Sequence, residues 1–133
     1  MSLKRVNPAE LAPPKGFSHA VTGRGTIVFL AGQTALDSAG KITGAGITAQ
    51  FEQALGNLLG ALRAAGGEPG TLASLTVYAT DIADYRAHAA ELGQVWRRLV
   101  GRDYPAMAVI GISRLWDEEA QVELQGHAVL PEG

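Results

Sequence analysis

An amphipathic segment at residues 47–65 places the strongest constraint on what this chain can fold into. Apolar side chains recur there at steps of three and four residues, which places them on one face of an α-helix. Gly66 and Gly67 follow directly, and glycine readily adopts the left-handed conformation in which helices commonly end. The segment therefore predicts a helix that must bury one face, formed by Ile47, Phe51, Leu55, Leu58, Leu59 and Leu62.

The rest of the chain predicts one more helix and several strands. Asp81 or Asp84 can cap the second helix, Gly101 follows it, and its apolar stripe runs through Tyr85, Ala89, Leu92, Trp96 and Leu99. Residues 106–115 are almost continuously apolar, which is typical of a strand buried on both faces. Further strands are predicted at residues 17–22, 26–33, 72–80 and 121–130. The order is β-β-α-β-α-β-β, which indicates a single α+β domain over residues 1–133, with residues 1–15 as an extended proline-containing arm.

The last predicted strand alternates between apolar and polar side chains. Glu123, Gln125 and His127 point to one face, and the apolar residues between them point to the other. Two helices can cover only one face of such a sheet. The polar face must therefore meet water, a ligand or another chain.

Composition excludes several classes of function. The formal net charge is −2, and the basic group Arg97, Arg98 and Arg102 has no aromatic residues interleaved, so no nucleic-acid partner is expected. The chain has no cysteine, and its three histidines are too dispersed for a recognisable metal motif. No segment has the roughly 18 apolar residues of a membrane span or a signal-peptide run, so we expect a cytoplasmic protein without membrane contact, metal or cofactor.

Four stretches resemble the Rid (YjgF-like) family in their order and spacing. They are LAGQ at residues 30–33 with Asp37 and Gly40; Gln50 with ALGNL at 54–58 and Ala65-Gly66; LTVY at 75–78 with Asp81 and Asp84-Tyr85; and Pro105-Ala106, Arg114-Leu115 and VEL at 122–124. The resemblance covers about residues 16–129. It implies a chorismate-mutase-like α+β fold with two helices on one face of the sheet. It also implies a homotrimer with a small-molecule cleft at each of its three subunit interfaces.

The resemblance also implies an activity, and one residue argues against it. Rid hydrolases convert reactive enamines and imines, such as 2-aminoacrylate shed by pyridoxal-phosphate enzymes, to ketoacids and ammonia. In their Pro-Ala-Arg motif the arginine holds the substrate carboxylate through two charge-assisted hydrogen bonds. Here Met107 occupies that position. At roughly 1.5–3 kcal/mol for each such bond, the loss should weaken binding of a small carboxylate about a hundredfold or more.

Other positions that match the family's cleft have also lost polar or charged groups. By the resemblance, the hydrolases have other residues at these positions: a serine at Ala31, a tyrosine at Phe17, an asparagine at Ala89, a cysteine at Val109 and a glutamate at Gln125. We therefore expect a cleft that is more apolar than in the hydrolases. Its predicted residues are Phe17, Ala31, Gln33, Ala89, Met107, Val109, Glu123, Gln125 and His127.

Three of these residues have both a structural and a functional interpretation. His127 is either an interface hydrogen-bond partner or a ligand contact and base. Glu123 is either a cleft residue or half of an ion pair, with Arg114 on the neighbouring strand as a partner. Gln33 either caps a loop or faces the cleft. Gln125 and His127 are the only catalytic candidates.

The sequence leaves three hypotheses for function. The first is a Rid-like homotrimer that binds a small, largely apolar or neutral metabolite without arginine-dependent hydrolase activity. The second is a deaminase-type hydrolase of an uncharged imine or enamine, with Gln125 ordering the attacking water. The third is a non-catalytic regulatory partner protein.

Overall fold

The computed structural model describes residues 3–132 and shows an α+β domain. Its main sheet has four strands in the order β3-β6-β4-β5, in which β4 and β5 are parallel and the other neighbours are antiparallel. A separate two-stranded ribbon pairs β1 with β2. The elements are β1 (Lys4–Val6), β2 (Ala20–Thr22), β3 (Gly25–Gln33), α1 (Ile47–Ala64), a 3-10 turn (Pro69–Thr71), β4 (Leu72–Ala79), α2 (Ile82–Ala87), α3 (Ala89–Leu99), β5 (Ala106–Gly111) and β6 (Val122–Pro131).

Helix α1 buries the predicted apolar face against the sheet. Leu55, Leu58 and Leu62 are 0% exposed and pack in one cluster with strand residues such as Val77 and Leu124. Each fully buried leucine stabilises the fold by about 1.5–3 kcal/mol relative to an exposed one. Helix α3 adds Leu92, Val95 and Trp96 to the same cluster. The prediction that the helices cover one face of the sheet is confirmed.

The buried amide of Gln50 ties α1 to the loop that precedes β6. Its Nε2 donates to the carbonyl of Glu119 over 3.1 Å, and its Oε1 accepts from the backbone N–H of Gln121 over 2.8 Å. A buried amide needs such partners, because an unpaired polar group costs about 1–3 kcal/mol. The pair of bonds fixes where β6 begins relative to the helix.

Strand register sorts neighbouring residues onto opposite faces of the sheet. Two rows of residues that run across the strands show this, since each strand contributes adjacent residues to the two rows. The row on the helix side is Leu30, Gly126, Leu75 and Met107, and the row on the other side is Phe29, His127, Ser74 and Ala106. The predicted alternation of β6 is confirmed, since Val122, Leu124 and Ala128 are fully buried while Gln125 and His127 are exposed.

Two local predictions were wrong. The second helix is divided, because His88 has φ −105° and ψ 15°, outside helical geometry, and so ends α2 and caps α3. β5 stops at Gly111, and its residues Val109 and Ile110 are 40% and 43% exposed rather than buried on both faces. β5 pairs with β4 alone among the described strands, so it forms an edge of the sheet.

The described part of the N-terminal arm begins as a strand and then makes a turn, in which the backbone N–H of Leu11 donates to the carbonyl of Pro8 over 3.2 Å. Lys4–Val6 forms β1 against β2, and the Asn7 side chain accepts a hydrogen bond of 2.8 Å from the backbone N–H of His19. Met1 and Ser2 of the predicted arm, like Gly133, lie outside the described residues. Within residues 3–132, no helix is long and apolar enough to cross a membrane.

Gly126 provides a test of the packing between β6 and β4. A β-carbon at this position would collide with the backbone carbonyl of Ser74, so we expect Gly126→Ala to lower the free energy of unfolding by about 1–3 kcal/mol. Gly60 on α1 is a matched control, because a β-carbon there meets nothing within 4 Å. Gly60→Ala should raise the free energy of unfolding by about 0.5–1 kcal/mol. Urea titrations measure both, and a Gly126→Ala midpoint equal to wild type would contradict the close approach.

Candidate functional site

A cavity of about 340 Å³ lies between the helices and strand β5. Two aromatic pairs form its walls. Phe51 and Tyr85 meet edge to face at 6.3 Å, and Trp96 stacks on Tyr104 at 5.2 Å with only 9° between the ring planes. Such pairs stabilise their geometry beyond simple area burial, so the walls are held in defined positions. We call this cavity the aromatic pocket.

The fold positions each wall of the aromatic pocket. The indole N–H of Trp96 donates to the carbonyl of Asp103 over 3.1 Å, which orients its ring. Tyr104 is held where the chain enters β5, because the Ser18 hydroxyl donates to its carbonyl over 2.6 Å. Tyr85 lies on α2, one turn before the break at His88. The break therefore sets the angle at which α2 presents Tyr85 to the pocket.

Three of the predicted cleft residues lie in the aromatic pocket. Met107 and Val109 of β5 and Ala89 at the start of α3 all line it. In β5 the register places Met107 opposite Leu75 and Val109 opposite Val77, both of which face the helices. Met107 is half-buried and contributes a flexible, apolar thioether to the wall.

The polar groups of the aromatic pocket are few. Burial raises the pKa of the Tyr85 phenol to about 12, so it remains a neutral donor under physiological conditions. Lys15 at the rim carries the only charged side chain among the described lining residues.

The opposite side of the sheet, which we call the open face, is defined by Phe29, Ser74, Gln125 and His127. The Nδ1 of His127 lies 2.8 Å from the Ser74 hydroxyl, and its ring meets the edge of Phe29 at 5.3 Å. Gln125 is exposed beside Thr76. Phe29 and Ile27 are 77% and 58% exposed, so this side combines apolar and polar groups.

Glu123 lies near one end of the open face, against the backbone of Gly32. A β-carbon at Gly32 would collide with the Glu123 carboxylate, so the absence of a side chain at Gly32 allows this close approach. The suggested ion pair with Arg114 is wrong. Because β5 already ends at Gly111, Arg114 lies in the following loop, where it pairs with Glu118 at 3.3 Å.

The remaining predicted cleft residues line neither the aromatic pocket nor the group that defines the open face. Gln33 is half-buried in a separate shallow depression with Asn57 of α1, whose amide donates to the carbonyls of Thr34 and Leu36. Ala31 is exposed next to Gly32. Phe17 is half-buried, follows the pocket-lining Gly16 and packs against the ring of His19 at 5.0 Å.

Within one chain, the sheet separates the two main groups of candidates. Met107, Val109 and Ala89 lie on the helix side, and Gln125 and His127 lie on the open face. Sequence reasoning missed Phe51 and Trp96 as pocket residues, because their helical spacing indicates core positions equally well. Across residues 3–132, no group of three or more His, Asp or Glu side chains is placed to hold a metal ion.

Comparison with known proteins identifies the family. The family described as Endoribonuclease L-PSP, which includes the Rid and RutC proteins, matches residues 7–130. The chain belongs to this family. A RutC family protein of Pyrococcus horikoshii is 32% identical over 129 residues, covering 95% of this chain and 98% of that protein.

Solved structures of Rid proteins have the same fold. The Rid family protein YyfB from Yersinia pestis superposes with a TM-score of 0.88 at 32% identity, covering 98% of this chain and 100% of the other. A protein described as a probable translation initiation inhibitor from Rhodopseudomonas palustris has a TM-score of 0.72 at 27% identity, covering 98% and 100%. The α+β fold with its mixed sheet and helices therefore matches the Rid fold that the resemblance implied.

The helix break beside the aromatic pocket has a testable electrostatic signature. The pKa of His88 is raised above 6.5, first by its ring hydrogen bond of 2.9 Å to the Asp84 carbonyl and then by the Asp84 and Glu91 carboxylates. The raised pKa means that protonated His88 stabilises the folded state. This contribution to the free energy of unfolding is complete below pH 6.5 and is lost as the pH rises through the folded-state pKa. Asp84→Asn should lower the pKa of His88 in an NMR titration. The backbone hydrogen bond should keep part of the shift, and an unchanged pKa would show that the Asp84 carboxylate has no influence.

Proposed function

We propose that this Rid family protein is a homotrimer that binds a small, largely apolar or uncharged metabolite in its interface clefts. We further propose that it has little arginine-dependent imine hydrolase activity. The observation that carries the proposal is the position of Met107. It lies in the wall of the aromatic pocket. The family resemblance matches this position to the arginine that holds the substrate carboxylate in the hydrolases.

The chemistry of the pocket supports an apolar ligand. Four aromatic side chains surround the space, and no acidic side chain is among its described lining residues. No arginine is among the described lining residues of the aromatic pocket. Arg114 is engaged with Glu118 and with two backbone carbonyls, and Arg24 lies in the turn between β2 and β3. A small carboxylate with little apolar surface would therefore lose most of its binding energy here.

The open face supports assembly of several copies. Both large helices pack on the other side of the sheet, and Phe29 remains 77% exposed in the single chain. Contiguous exposed apolar side chains rimmed by polar groups commonly mark a protein–protein interface. In the proposed trimer, a neighbouring copy covers this face and brings the two separated groups of candidates together in a shared cleft.

The exposed amide of Gln125 favours a second candidate function. It can hold a water molecule through its donor and acceptor groups, although it cannot accept a proton as a carboxylate would. A deaminase-type hydrolase of an uncharged imine or enamine would need only such an ordered water and an apolar pocket. This function requires the same trimer as the leading proposal.

Assembly is tested first. Sedimentation equilibrium should give a mass near three times 13.9 kDa. Phe29→Glu places a charge in the proposed interface and should yield monomers, since an unpaired buried charge is strongly unfavourable. Trp116→Glu is the matched control, because Trp116 is 92% exposed but lies in the loop between β5 and β6. It should leave the trimer intact. A wild-type monomer would overturn both the assembly and the interface cleft.

Hydrolysis is tested separately, with 2-aminoacrylate generated in a coupled assay. The wild-type protein should barely accelerate its decay, while an arginine-bearing Rid relative serves as the positive control. The physical reason is the missing charge at position 107, which should reduce carboxylate affinity about a hundredfold or more. Rates equal to those of the relative would show that another group anchors the carboxylate.

A further inference from the structure

The aromatic pocket has one cationic group at its rim that the proposed function does not use. Lys15 lines the pocket, is exposed, and makes no hydrogen bond or ion pair with another described residue. Its chain neighbour Gly16 also lines the pocket. The ammonium group is therefore available to whatever occupies the pocket.

The backbone around Lys15 is held against β5. The N–H of Ser18 donates to the carbonyl of Pro105 over 2.9 Å, and its hydroxyl donates to the carbonyl of Tyr104 over 2.6 Å. Gly16 has φ +74°, a conformation that glycine adopts without strain. These contacts anchor the segment three residues after Lys15 directly to the chain that carries Tyr104. The backbone that follows Lys15 is thus anchored beside the pocket that this lysine lines.

We propose that Lys15 selects ligands that carry one anionic group on an apolar, ring-containing body. The ring lies between the aromatic walls, and the anion meets the ammonium group at the rim. This inference rests on the proposed function. Of the two ligand types in that proposal, largely apolar or uncharged, it selects the first and specifies a single anionic group, as in an aryl carboxylate.

Size and polarity agree with such a ligand. The pocket volume of about 340 Å³ falls at the small end of the usual range for ligand sites, roughly 300–1,000 Å³. A ring in the pocket gains contact with its apolar lining, which a small carboxylate such as 2-aminoacrylate cannot make. No described acidic lining residue opposes an anion at the rim. Tyr85 can add a hydrogen-bond donor from inside the pocket.

The experiment compares phenylacetate with its uncharged counterpart phenylacetamide. Binding is followed by NMR through the indole N–H of Trp96, whose resonance is assigned by comparison with Trp116→Phe. An exposed ion pair is worth little, so wild type should prefer phenylacetate about fivefold at low ionic strength, and salt should reduce the preference. Lys15→Met should abolish the preference, and Lys15→Arg should retain it. Lys41→Met is the matched control, because Lys41 lines a different depression near Asp117, and the preference should persist.

The outcomes separate this inference from the function on which it rests. Equal binding of both probes by wild type, or an unchanged preference in Lys15→Met, overturns the role of Lys15 and leaves an apolar pocket in place. If neither probe shifts the Trp96 resonance at millimolar concentration, the aromatic pocket is not a ligand site, and both proposals fall. A preference lost only in Lys15→Met supports the inference.

Discussion

The packing of α1 against one face of the four-stranded sheet is the constraint on which the rest of this structure depends. Leu55, Leu58 and Leu62 are completely buried there, and the strands must turn their apolar residues toward them. The side-chain period of a strand is two residues, so this contact also determines which side chains lie on the other face of the sheet. The open face, with His127 beside Phe29, is a direct consequence.

The same period gives adjacent residues of β5 different environments. Ala106 falls in the row with Ser74 and His127, whereas Met107 falls in the row with Leu75 and reaches the aromatic pocket. Position 107 therefore contributes an apolar thioether to the pocket wall, beside the aromatic side chains and the exposed Lys15.

Much of the fold could be predicted from local pattern, and the failures have local causes as well. The stripe of α1 and the alternation of β6 each follow from a repeated period, and both are confirmed. The break at His88 could not be predicted, because the apolar stripe continues through it from Tyr85 to Leu99. The exposure of Ile110 was missed because a run of apolar residues does not reveal whether a strand lies at the edge of its sheet.

For the candidate site, too, the sequence determined some features and the tertiary structure others. The sequence by itself determined the residue identities, above all Met107 and Gln125, at the positions that the resemblance matches to the family's cleft. Only the tertiary structure decided that Met107 and Gln125 lie on opposite faces of the sheet, and that Lys15 lies at the pocket's rim. The physical reason is that a residue's face depends on strand pairing and helix packing, which join segments as far apart as Ser18 and Ala106.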